Sequence, residues 1–171
     1  MIKNLLKILI SIIILFSIFI AYFAYFGITT SKFNSTIKDQ IKKQNNNLDI
    51  DLKKVKLHLD LRNFSIKIKT KNPKIILKNF DELKLEEISS NISIFSYFQN
   101  KFAIKNLLIK SKNNKISSYI SFYTLTNNSL ELILLNQFFK KGIAQINIDF
   151  NFDDTGKIKN NYNLSGKISK A

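Results

Sequence analysis

The chain has no cysteine, one histidine, one proline, four glycines and, in Arg62, a single arginine. Each shortage closes a class of chemistry. Without cysteine there is no disulfide framework, thiolate metal site or cysteine nucleophile, although many exported proteins do without disulfides and the compartment stays undetermined. With His58 alone, neither a histidine triad nor a multi-histidine metal site can be built. His58 falls between Leu57 and Leu59 on the polar side of a strand pattern, where a solvated imidazole is the ordinary outcome. The few glycines form no phosphate-binding loop. Acidic residues are scarce too, 12 against 27 basic ones. Asp153-Asp154 sits where a hairpin turn favours Asp and Glu86-Glu87 ends a strand, so neither pair has a second cluster to work with. Asp153 to Gly156 also lacks the ligand series of a calcium loop. The chain reads as a non-enzyme with no cofactor and no metal.

A formal charge of +15 ordinarily points to nucleic acid or anionic lipid. The make-up of that charge argues against nucleic acid. The basic residues are nearly all Lys and are spread through every strand, whereas a nucleic-acid surface concentrates Arg and aromatics on one element. Lys excess with abundant Asn and Ile is the residue usage of an AT-rich genome, and anionic lipid headgroups are the next explanation.

What the chain does have is a long apolar run, Ile8 to Ile28, with no charged side chain between Lys7 and Lys32. A bilayer core takes roughly 20 apolar residues as a helix, so the run predicts a membrane span. Ser11 and Ser17 are compatible with it, because a hydroxyl on a helix bonds back to a carbonyl one turn earlier. A cleaved signal has a shorter apolar region, about 7–15 residues, and a small-x-small cleavage site that AYFAYFG does not supply. The Lys count does not orient the span, since Lys3 and Lys7 compete with Lys32, Lys38, Lys42 and Lys43. A short tail inside and a large C-terminal body outside is the expected arrangement, because long domains translocate regardless of charge.

Three segments follow: a tail and anchor over residues 1–31, a juxtamembrane helix over 32–47, and one β-rich domain over 48–171. Phe33, Ile37 and Ile41 recur at helical spacing. From Leu48 the period becomes two. It slips phase at Lys53-Lys54 and again at Arg62-Asn63, and each slip requires a bulge or turn. Ile75 to Leu77, and then Leu83 and Leu85, predict two more short strands. Ile88 to Phe98 fits a strand or a helical turn. Phe102 to Ile109 predicts a strand bulged near Asn106, and Ile116, Ser118, Ile120 and Phe122 another. Ser129 to Gly142 predicts a helix, with Ser129 as N-cap and Gly142 as C-cap, a strand being the alternative for so short a run. Ala144 to Phe152, the Asp153 to Gly156 turn, and Ile158 to Ile168 predict a hairpin. The expected fold is thus a transmembrane helix and a mainly-β (α+β) domain, an antiparallel, bulged and twisted sheet with one or two short helices and one apolar face.

That apolar face has two outcomes. It closes into an ordinary sandwich core, or it stays open as a groove for acyl chains, with Lys along the rim for phosphate headgroups. The residues that would line such a groove are Ile66, Ile68, Ile104 and Ile109, then Ile120 and Phe122, and finally Ile146, Ile148, Phe150 and Phe152. The chain ends in strand rhythm, leaving an edge near Leu164 to Ile168 for another β-rich envelope protein or for more of a longer chain.

The phase-slipping LDIDLKKVKLHLDLRNFSIKI, the KNPKIILKN strand and turn, IFSYF before FAIKNLLIKS, and the KKGIAQINIDFNFDDTGKIKNNYNLSGKIS hairpin together resemble the AsmA-like family of Gram-negative envelope proteins, of the TamB and YhdP type. The resemblance covers most of the chain as a pattern. It implies a single-pass inner-membrane protein with its N-terminus cytoplasmic, a periplasmic β-rich body, and a groove guiding phospholipid for outer-membrane biogenesis. It carries no catalytic residues. Long members run to many hundreds of residues, so this chain would be an N-terminal portion or a short member acting with partners. The layout is also similar to the LptC-type bridge subunit of lipopolysaccharide export. A structural adaptor pairing through the same edge is the alternative outside lipid handling.

Overall fold

The computed structural model describes residues 2–78, 81–126 and 142–169. The first element, α1 (Ile2–Tyr25), is long and apolar enough to cross a bilayer from Lys3 to Tyr25. From Lys3 to Phe19 its side chains are exposed to the surroundings. The Ser17 hydroxyl donates to the Ile13 carbonyl one turn back (2.9 Å), as expected of a hydroxyl in an apolar helix.

Gly27, at φ +70°, turns the chain out of the helix directly into β1 (Ile28–Thr30). Ile28, which belongs to the apolar run of the sequence, is therefore a sheet residue, paired with Leu57. Then come α2 (Asn34–Gln44), β2 (Leu48–Asp51), β3 (Val55–Asp60), β4 (Ser65–Lys71) and β5 (Lys74–Leu77). The rest is β6 (Leu83–Ser93), α3 (Ile94–Phe98), β7 (Ile104–Ser111), β8 (Asn114–Lys115), α4 (Ile116–Thr126), β9 (Ile143–Asn151) and β10 (Asn163–Ser169). The helix expected between Ser129 and Gly142 lies outside the described residues up to Gly142 itself.

The strands form one antiparallel, non-closed sheet in the order β1-β3-β4-β6-β7-β9-β10, with β2 and β5 branching from the start of β6 and β8 added to β9. Both phase slips are connections. Lys53-Lys54 carries the chain from β2, which pairs with β5, to β3 in the main sheet, and Arg62-Asn63 lies in the β3–β4 turn. The bulge near Asn106 is present: Asn91 faces Asn106 and Ile92 faces Ile104, leaving Lys105 extra. A second bulge at Glu86, between Leu85 and Glu87, lets one long strand serve both β5 and β4. Glu86-Glu87 thus lies inside β6 and does not end a strand. The region Ile88 to Phe98 divides at Ser93, whose hydroxyl accepts from the Ser96 N–H (3.2 Å) and starts α3.

One expected strand is absent. Ile116 to Phe122 forms the first part of α4, so Ile120 and Phe122 stand on a helix and not in the sheet. The alternation Ile116, Ser118, Ile120, Phe122 coexists with Ile116, Tyr119, Ile120 and Tyr123 at helical spacing, and the helical reading wins. Asn114 sets the break. Its amide bonds both the N–H and the C=O of Lys84 (2.8 Å each) and the Lys112 carbonyl (2.9 Å), ending the extended run before Ile116.

The sheet has two unlike ends. Because β1 leaves α1 and runs antiparallel to β3, everything beyond Leu57 in β3 lies on the α1 side. Register carries that side across the sheet to the β3–β4 turn, α3, and the 152–162 connection. The buried core sits at the far end: Ile50 and Leu52 after α2, Val55, Leu77, Leu83 and Leu85, with Ile120 of α4 and Ala144 of β9. The α2 helix is fixed there by Lys38 and Lys42 on Asp49 (3.0 and 3.4 Å) and by Asn34, whose amide reaches the Leu52 and Lys53 carbonyls.

Candidate functional site: an open apolar sheet face

Side chains alternate across a strand, and the registers place apolar residues of successive strands in rows on one face. One row runs Val55, Thr70, Ile88, Ile109, Ile148 and Leu164. The next, closer to α1, runs Leu57, Ile68, Ser90, Leu107 and Phe150, with the Tyr162 ring 6.4 Å from that of Phe150. A third joins Leu59, Ile66, Ile92 and Ile104. Phe152 prolongs β9 through its bridge to Ile158 and packs on Phe102 (5.5 Å).

Eight of the ten lining residues named from the sequence therefore share one face: Ile66, Ile68, Ile104, Ile109, Ile146, Ile148, Phe150 and Phe152. None of the eight is buried; each is partly exposed. Leu164 and Ile168 on β10 are 66% and 62% exposed, so the face becomes more open toward that edge. A sandwich core would bury these side chains under a second layer, and among the described residues no such layer covers them.

At the far end, α4 supplies one wall. A cavity of about 510 Å³ lies between α4 and β9–β10, lined by Ile116, Tyr119, Ile120, Ala144, Ile146, Leu164, Gly166 and Ile168. Ile120 thus reaches the cavity from the helix, 9% exposed, while Phe122, partly exposed on the same helix, is not among its lining. Gly166 opposes Ile146 on the floor. A Cβ there would come 3.0 Å from the Gln145 carbonyl, so a larger residue would both crowd the strand and fill the cavity.

The wall is held by a polar cluster that sequence reasoning did not single out. The Ser111 hydroxyl accepts from the Ile146 N–H (2.7 Å) and shares a 2.5 Å hydrogen bond with the Tyr119 hydroxyl. The Tyr119 hydroxyl also lies 3.2 Å from the Ala144 carbonyl and accepts from the Asn114 amide (3.2 Å). Ser111 is 2% exposed, so these bonds form out of water, where leaving one unmade is costly. The signal was the buried-polar spacing Ser111, Asn114, Tyr119, visible only once the helix is recognised.

Of the lysines, Lys167 on β10 is among the residues that line the cavity, whereas those of β3 and β4 lie elsewhere. Lys56, Lys67 and Lys69 alternate with the apolar residues of β3 and β4 and so occupy the opposite face. There Lys53, Lys54, Lys56, Lys69 and Lys71 line a second cavity of about 840 Å³. Lys69 pairs with Glu87; burial pushes the Glu87 carboxyl up, but the Lys69 hydrogen bond and charge outweigh it and hold it below its ordinary value. His58 is on this polar face too, opposite Lys67. Asp153 makes the expected turn, its Oδ1 accepting from Thr155 N–H, Thr155 Oγ1 and Lys157 N–H. Asp154 accepts from Lys105 (2.6 Å), which lowers its pKa. These groups are dispersed over separate strands and turns, and the structure brings none of the acidic pairs to His58.

The β9–β10 hairpin is present, with a longer connection than the turn alone. After Asp153 to Gly156 the chain makes the Phe152–Ile158 bridge, and regular pairing resumes only at Asn163 opposite Asp149. Every residue of β10 is exposed. No family model matches the chain, and no curated protein or solved structure matches it either.

Proposed function

We propose that this is a membrane-anchored, non-enzymatic lipid-handling protein of the AsmA-like kind, its body on the periplasmic side of the inner membrane and its apolar sheet face receiving phospholipid acyl chains. One observation carries this reading: the face formed by Leu107, Ile109, Ile148, Phe150 and their neighbours is apolar, continuous over several strands and only partly covered. A partly exposed apolar face that runs across several strands marks an interaction site in a soluble domain. The anchor keeps the face beside a source of acyl chains.

A photo-crosslinking amino acid placed in the full chain at Ile148, and separately at Asn147 on the opposite face, tests it in native membranes. Phospholipid adducts at Ile148 and not at Asn147 are expected. Equal labelling at the two positions, or none at Ile148, overturns the groove.

A second reading, an adaptor that adds a partner's strand to β10, is favoured by the full exposure of Asn163–Ser169 at the sheet edge. Protein adducts at Ser165 without lipid adducts at Ile148 would select it.

A further inference from the structure

The end of the sheet nearest α1 carries exposed apolar side chains that neither the anchor nor the groove uses. Leu61 and Phe64 in the β3–β4 turn are 50% and 67% exposed, and Phe95, Tyr97 and Phe98 on α3 are 66%, 69% and 77% exposed. They form one ledge, because the Ile94 N–H donates to the Phe64 carbonyl (3.0 Å) and ties α3 to the turn. The Tyr97 and Phe98 rings meet edge to face at 6.0 Å. Phe64 has φ +46°, a left-handed conformation rare for a bulky residue, so the turn displays this ring at the cost of backbone strain.

We propose that this ledge inserts into the headgroup layer of the same bilayer that α1 crosses. Continuity with the span identifies the occupant. Tyr25 ends the helix, Gly27 is already buried against β3, and no linker intervenes, so the near end of the sheet is held where α1 leaves the hydrocarbon. The chemistry agrees: aromatic rings favour the membrane–water interface. Arg62 in the turn is exposed beside them and can extend to phosphates, and Lys101 after α3 is exposed too, though 4.0 Å from the Asp154 carboxylate that Lys105 already holds. The one carboxylate of the turn, Asp60, is occupied by the Arg62 and Asn63 N–H groups and the Asn63 amide. This inference rests on the anchor reading and deepens the groove reading, since an embedded ledge would open the rows from Leu59 to Phe150 into the acyl layer.

The chain contains no tryptophan, so single-tryptophan variants are unambiguous reporters. Full-length Phe98→Trp, Phe16→Trp in α1, and Asn113→Trp at the far end would be reconstituted in phosphatidylethanolamine–phosphatidylglycerol vesicles carrying brominated acyl chains. The expected result is quenching of Phe98→Trp several-fold stronger than that of Asn113→Trp, with blue-shifted emission. If Phe16→Trp is quenched while Phe98→Trp behaves like Asn113→Trp, the ledge is overturned and the anchor stands. If Phe16→Trp is also unquenched, the anchor fails and the ledge with it. The crosslinks at Ile148 decide the groove separately.

Discussion

Gly27 and Leu57 meet at a separation that glycine alone permits: a Cβ on Gly27 would lie 2.5 Å from the Leu57 carbonyl oxygen and 3.0 Å from the Lys56 Cε. The apolar N-terminal helix is thereby coupled to the body through backbone contact and not through a tether. At φ +70° a side chain is strained whatever space it finds.

Gly27→Val should therefore disconnect the two. Left-handed strain costs about 1–3 kcal/mol, and the clash with the β3 carbonyl adds to it. Relief is expected by local loss of the β1–β3 pairing. Hydrogen exchange would show protection falling in Ile28–Thr30 and Val55–Asp60 while Ile143–Asn151 keeps its own. Unchanged protection in β1 would mean that the junction is not tight.

The contrast between the far-end core and the partly exposed face predicts two classes of apolar mutant. Leu85 is 1% exposed in the far-end core, and Leu85→Ala should cost about 2–5 kcal/mol as a cavity in packed surroundings. Ile148→Lys places a flexible chain on a partly exposed face, where the stem can lie along the sheet and the ammonium can reach water. Chemical denaturation in mild detergent should find it far less destabilised than Leu85→Ala. A collapse equal to that of Leu85→Ala would show that the face is closed core.

This is also where the sequence ran out. The strict alternation of Ala144, Ile146, Ile148, Phe150 and Phe152 made β9 plain, since a half-covered strand and a strand under a full second layer share the same pattern in one respect only: one side apolar, one side wet. Whether another layer covers Ile148 is decided by elements far away in the chain, which no local period reports. The same locality explains α4. Its serines and aromatics satisfy two periods at once, and what separates them is the Asn114 amide clasping Lys84, 30 residues earlier. Conversely, the long apolar helix, the Asp153 turn and the bulge at Asn106 were legible because each is dictated by residues adjacent in sequence. The ledge was hidden because IFSYF reads as crowded aromatics until α3 is placed beside the turn that holds Phe64.

Tyr119→Phe removes only a hydroxyl, but one that links α4 to β7 and β9 through Ser111 and the Ala144 carbonyl. Losing a buried hydrogen-bond partner costs about 1–3 kcal/mol. A fall in stability of that order is expected, with increased hydrogen exchange in Ile116–Thr126. A neutral result would show that Tyr119 contributes only its ring to the wall.

Acid should weaken the polar face and the α2 junction in a defined direction. Glu87 and Asp49 both have folded-state pKa values below the ordinary ones, Glu87 through Lys69 against the opposing effect of burial, and Asp49 through Lys38 and the Ile50 N–H against the same effect. A depressed carboxylate contributes stability that is complete above its unfolded pKa and is lost as pH falls through the folded one. With ordinary values of 4.5 for Glu and 3.8 for Asp, that stability should be intact at neutral pH and begin to fall only in this acid range. Lys69→Met should flatten the Glu87 part of the melting-temperature profile between neutral and acid pH. A profile unchanged from the parent would remove the pair as its source.

Phe64 separates stability from membrane contact. Its left-handed backbone costs an ordinary residue about 1–2 kcal/mol, which glycine avoids, while glycine loses about 0.5–1 kcal/mol in chain entropy. The ring itself is 67% exposed, so removing it leaves no cavity. Phe64→Gly should consequently be neutral or slightly stabilising in detergent, unlike a core Phe truncation. In brominated vesicles the same substitution, introduced into Phe98→Trp, should reduce the quenching of the reporter, because the ledge has lost an apolar contact with the bilayer. A variant that is destabilised in detergent would instead show that the ring packs on the body, and that its conformation serves the fold and not the membrane.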